Sequence, residues 1–114
     1  MEQRRTSRFP FSASAELIIR GGLIESTAVT ELSRGGCYLE STTPLPRGTL
    51  VTVKIFAGCE FFEAIATLYP RATLGTALCF REVKPEFKGV LQKWMRQALE
   101  KYYSPPPSIR EKVL

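Results

Sequence analysis

The sequence predicts an all-β domain with one C-terminal helix, its six strands forming an antiparallel barrel or sandwich. Three observations predict it. Short runs alternate apolar and polar residues with period 2 as far as Phe80. Turn-forming residues, several of them glycines, separate those runs. After Pro85 the apolar period changes to that of a helix.

The first strand reads from Phe11 to Arg20, with Ala13, Ala15, Leu17 and Ile19 on one face. Gly21-Gly22 signals a hairpin into a second strand, Leu23 to Ser33. There Ile24, Ala28 and Leu32 are expected to face the core, and Val29, Glu31 and Ser33 to face away. Arg34-Gly35-Gly36 turns the chain, Gly36 permitting either a close approach or a positive φ. Cys37 and Leu39 continue a short third strand, with Tyr38 on its other face. The stretch Thr43 to Gly48 is a loop by composition. Val51, Val53 and Ile55 point inward from a fourth strand, and Ala57-Gly58 turns into a fifth, Cys59 to Tyr69. Its mixed pattern calls for a bulge. Pro70-Arg71 interrupts, and Leu74, Leu78 and Phe80 line a sixth strand.

From Pro85, a residue suited to a helix's first turn, Phe87, Val90, Leu91, Trp94, Ala98, Leu99 and Tyr102 make an apolar stripe that packs on the sheet. Ser104 and three prolines end the helix. The chain therefore divides into a basic arm (1–10), the barrel and helix (11–103) and a Pro-rich tail (104–114).

Composition narrows the function. The 114 residues suit one small domain. No apolar run of membrane-spanning length occurs and no secretory signal opens the chain, so a cytoplasmic protein without membrane insertion is expected. The net charge of +5 favours anionic partners. The chain has no His, no Asp and no Asn. No nucleophile–base pair, metal site, Walker loop or dinucleotide fingerprint can be drawn, so a binding module without cofactor or metal is expected, not an enzyme. Cys37, Cys59 and Cys79 are far apart and read as small packing residues.

Two motifs carry chemistry. Arg4-x-x-x-Arg8 lies in the arm, with Arg5 between, and offers guanidinium groups that bind phosphates and the O6/N7 edge of guanine. Glu31-x-Ser33-x-x-Gly36 closes the second strand and adds a carboxylate and a hydroxyl, with Arg34 as a further cation. In order and spacing these residues, with Gly75 to Phe80 near the barrel's end, resemble the PilZ domain over about residues 2–83. That family has an Arg-x-x-x-Arg motif and an Asp/Asn-x-Ser-x-x-Gly motif on a six-stranded antiparallel β-barrel of split-barrel type. Its ligand is the bacterial second messenger cyclic di-GMP.

The resemblance implies a cyclic di-GMP receptor that passes a signal to a downstream protein partner. Arg4, Arg8, Glu31, Ser33 and Gly36 would form its site, with Arg5 and Arg34 adding phosphate contacts. Glu31 departs from the family pattern, placing its carboxylate one methylene further from the backbone. An adaptor that no longer binds the nucleotide is therefore a second reading. A nucleic-acid-binding barrel of the OB or cold-shock type is a third, but no strand alternates basic and aromatic residues as a stacking platform does, and no DNA partner is expected.

Overall fold

A computed structural model describes residues 8–20, 22–41, 44–71 and 75–103. Six strands and one helix follow in chain order: β1 (Phe9–Ile19), β2 (Gly22–Ser33), β3 (Gly36–Leu39), β4 (Thr49–Ala57), β5 (Glu60–Pro70), β6 (Thr76–Glu82) and α1 (Pro85–Tyr103). The strands close a barrel in the order β1-β2-β3-β6-β5-β4, with every neighbouring pair antiparallel. The predicted class and the position of the helix hold. β1 begins at Phe9, two residues before the expected start, because Phe9 is itself a buried core residue paired with Leu32. Gly21, Leu74 and residues 104–114 lie outside the described residues.

Alternation fills the barrel where it is regular. Ala15 and Leu17 on β1, Val51, Val53 and Ile55 on β4, and Leu78 on β6 all point inward. β5 corrects the sequence reading. Phe62, Ala64, Ala66 and Leu68 are buried at strict period 2, so this strand needs no bulge. The irregularity lies opposite: Ile65 pairs with Glu82 and Ala66 with Phe80, which leaves Arg81 as the extra residue on β6.

β2 holds the second correction. Val29, expected outside, is core, whereas Ile24 is exposed and Ala28 only half-buried. Val29 pairs with Leu39 but Glu31 pairs with Tyr38, so Thr30 is an extra residue on β2. A bulge shifts the inward positions by one. Val29 and Leu32 both reach the interior, three residues apart, and Glu31 stays on the outer surface.

The β3–β4 connection, which carries the chain away from its neighbour strand, is pinned from both sides. Buried Ser41 donates its hydroxyl to Glu25 Oε1 at 2.5 Å, and Thr76 Oγ1 donates to the Ser41 carbonyl at 3.2 Å. Of the cysteines, Cys37 is buried, which pushes its thiol up to about 12. Cys79 is half-buried, and Cys59 is exposed in the β4–β5 turn, contrary to the packing role expected for all three.

α1 packs on the barrel end where β1 and β5 begin. Leu91, Trp94 and Ala98 are buried and Phe87, Val90 and Met95 pack partly against the core, while Leu99, expected in the stripe, is exposed. Trp94 lies 5.2 Å from the Phe11 ring and 6.1 Å from that of Phe62. Its indole Nε1 donates to Glu60 Oε1 at 3.0 Å, and Lys93 Nζ donates to Glu60 Oε2 at 2.8 Å. Glu60 thus ties helix to barrel. No helix among the described residues is long and apolar enough to cross a membrane.

The bonds from Lys93 and then Trp94 hold the Glu60 carboxyl below its usual value of 4.5. A carboxylate with a depressed folded pKa stabilises the fold above its unfolded pKa, and that stabilisation disappears as pH falls through the folded value. Melting temperature should therefore drop on acidification below about pH 4.5, and Glu60→Gln should blunt the drop. Thermal melts of both proteins from pH 7 to pH 3 check this; parallel curves would detach Glu60 from the acid response.

Candidate functional site

The β2–β3 hairpin builds the site. Its turn is Arg34-Gly35, with Ser33 paired to Gly36, Leu32 to Cys37 and Glu31 to Tyr38. Gly36 has no positive φ, so close approach is its reason for being glycine. A Cβ there would sit 2.0 Å from the Leu78 carbonyl oxygen on β6. Any side chain would force β3 and β6 apart. Ser33, expected to face away from the core, is buried instead, and its hydroxyl donates to the Gly36 carbonyl at 3.2 Å, bracing the same turn.

Glu31 and Tyr38 stand side by side on the outer surface, and Arg8 reaches them from the end of the arm. Arg8 Nη1 donates to the Tyr38 hydroxyl, its guanidinium carbon lies 4.6 Å from the Tyr38 ring centre, and its Nε is 3.6 Å from Glu31 Oε1. An exposed ion pair of that length is worth at most about 1 kcal/mol. It positions Arg8 without locking it.

A second arginine joins from the far side of the sheet. Tyr38 pairs with Ala77 on β6, and Ala77 with Tyr69 on β5. Arg71 follows β5, and its backbone N–H donates to the Gly75 carbonyl at 3.2 Å. Its guanidinium carbon lies 4.3 Å from the Tyr38 ring centre. Arg47 lies 5.1 Å from the Tyr69 ring centre. Arg8, Arg71 and Arg47 are thus set along one outer band, with Glu31 paired to the first of them. The band attracts anions and offers planar groups for stacking.

Of the residues predicted from sequence, the structure brings Arg8 and Glu31 together. Ser33 and Gly36 lie at the adjoining turn, but their visible work is to hold the hairpin against β6. Arg34 points elsewhere: it lines a groove of about 470 Å³ with Val83, Lys88, Leu91, Gln92 and Met95, beside α1. Arg4 and Arg5 lie outside the described residues. Sequence reasoning missed Tyr38 and Arg71 as parts of the site. Tyr38 could have been found by counting back through the two-residue turn, which sets it opposite Glu31. Among the described residues, no cluster of His, Cys, Asp or Glu could hold a metal ion.

A closed six-stranded barrel with a C-terminal helix, carrying Arg8 of an Arg-x-x-x-Arg motif beside a Glu-x-Ser-x-x-Gly hairpin, defines the class. The chain belongs to the PilZ domain family, whose model matches residues 2–70. Solved structures agree on the fold. The PilZ domain of YcgR from Escherichia coli with c-di-GMP superposes with a TM-score of 0.65 at 20% identity, covering 91% of this chain and 100% of that one. The inhibitor of motility MotI/DgrA from Bacillus subtilis gives 0.67 at 18% identity over 89% of this chain and 53% of that one, so the chain spans about half its length. The PilZ domain of CeSA from a cellulose-synthesizing bacterium gives 0.63 at 15% identity, covering 85% and 99%. No curated protein matches the chain.

Proposed function

We propose that this chain is a non-catalytic receptor for cyclic di-GMP that converts nucleotide binding into a contact with a protein partner. The observation that carries the reading is the placement of Arg8 beside Glu31 on the barrel's outer surface, at the foot of an arm that also bears Arg4 and Arg5. The structural neighbour with c-di-GMP is a PilZ domain of the same extent. The ligand has two phosphates and two guanines. Arg8 and Arg4 clamp a phosphate and the O6/N7 edge of a guanine, and Arg5 adds charge. Glu31 accepts from the guanine N1/N2 edge. The Ser33 hydroxyl, already donating to Gly36, keeps its acceptor lone pairs for the ligand, and Gly36 holds the hairpin in place. Arg34 reaches a bound phosphate only by leaving the groove beside α1, which would link occupancy of the site to the helix surface. That surface is where the partner would read the signal.

Glu31→Asp tests the reading. Asp restores the family's shorter acid and draws the carboxylate toward the strand, away from Arg8. Calorimetric titration with cyclic di-GMP should show wild type binding and Glu31→Asp binding as well or better. If only Glu31→Asp binds, the wild-type chain is a site disabled by one methylene. If neither binds at high micromolar ligand and moderate salt, the chain is an adaptor that works without the nucleotide.

A further inference from the structure

Arg71 belongs to neither motif, and the fold brings it to the same aromatic ring that holds Arg8. The two guanidinium carbons lie 4.3 Å and 4.6 Å from the Tyr38 ring centre. We propose that Arg71 is a further ligand-binding residue for a purine nucleotide and that Tyr38 is the positioning residue that sets both arginines. The inference rests on the cyclic di-GMP reading of the same site.

Three features support it. Two cations on one half-buried ring repel each other, and among the described residues the Glu31 carboxylate pairs with Arg8 and not with Arg71. Among the described residues no carboxylate pairs with Arg71, and an incoming phosphate would neutralise its charge. The backbone bond from Arg71 to Gly75 fixes where its side chain starts, and Gly75 itself takes a φ of +104°, a conformation suited to glycine. The residue between the two tyrosines of the row is Ala77, whose methyl leaves room above the sheet for a guanidinium or a base. A planar guanidinium can stack on a base and offer its N–H edge to a phosphate. Lysine shares only the charge.

Titration calorimetry on the full chain with cyclic di-GMP tests the assignment, using Arg71→Ala, Arg71→Lys, Tyr38→Phe and Tyr38→Leu, with thermal melts to verify folding. Arg71→Ala should weaken binding about tenfold, the loss of one charge-assisted contact of about 1.4 kcal/mol. Arg71→Lys should recover only part of that. Tyr38→Phe keeps the ring but loses the hydroxyl that accepts from Arg8, so it should weaken binding less than Tyr38→Leu, which should weaken it several-fold with an unchanged melting temperature. If wild type binds and both Arg71→Ala and Tyr38→Leu bind within twofold of it, this assignment is wrong and the receptor reading stands. If Arg71→Lys equals wild type, Arg71 contributes charge alone and the stacking role is wrong. If wild type itself does not bind, the receptor reading has failed and this subsite falls with it.

Discussion

Trp94→Ala should cost about 3–5 kcal/mol of folding stability, the range for truncating a buried aromatic. A small domain holds only about 5–15 kcal/mol in total, so the variant would lose a large part of its margin. Several losses coincide. The indole is 2% exposed, so its removal leaves a cavity between α1 and the Phe11 and Phe62 rings. Its N–H also leaves Glu60, which then keeps only Lys93 of its two helix partners. Leu91 and Ala98 flank Trp94 on the same helical face, so undocking would expose them too. Chemical denaturation followed by circular dichroism measures the effect. Trp94 is the only tryptophan, so native fluorescence gives a second reading. Emission typical of a water-exposed indole in the wild type would contradict the packing.

Arg8→Ala should weaken cyclic di-GMP binding at least tenfold. A hydrogen bond to a charged group is worth about 1.5–3 kcal/mol, and about 1.4 kcal/mol is a factor of ten. Part of the gain is offset, because the guanidinium already has partners in Tyr38 and Glu31 that a ligand must share or replace. Those partners also pre-orient it, which lowers the entropy lost on binding. Folding should be little affected, since the ion pair is exposed. Titration calorimetry beside a thermal melt separates the two effects. Binding within twofold of wild type would remove Arg8 from the site.

Much of the fold was legible because β1, β4 and α1 obey a single period. Ala15 and Leu17, Val51 to Ile55, and Leu91 to Ala98 declare their buried faces by spacing alone. The reading failed where one extra residue changes the count. Thr30 on β2 and Arg81 on β6 have no compositional mark, yet each shifts every later side chain by one position. Strand order was hidden for another reason. β3 pairs with β6 across the loop and two strands that separate them in sequence, and no local pattern encodes that contact. The candidate site divides along the same line. Arg8 and Glu31 were visible as motif residues, and Tyr38 follows from the hairpin register. Arg71 becomes a neighbour of Tyr38 only through β3-β6-β5 adjacency, so nothing in its local sequence announced it. Gly36 was marked correctly as a special position, but only the Leu78 carbonyl 2.0 Å from its would-be Cβ explains why.

The most direct test of the central claim is calorimetric titration of the unmodified chain with cyclic di-GMP at moderate salt, repeated at higher salt. Saturable binding at micromolar ligand that weakens as salt rises is expected, because arginines on an exposed surface supply the attraction. Absence of heat and of any melting-temperature shift at high micromolar ligand would contradict it, leaving a PilZ barrel that acts through protein contacts alone.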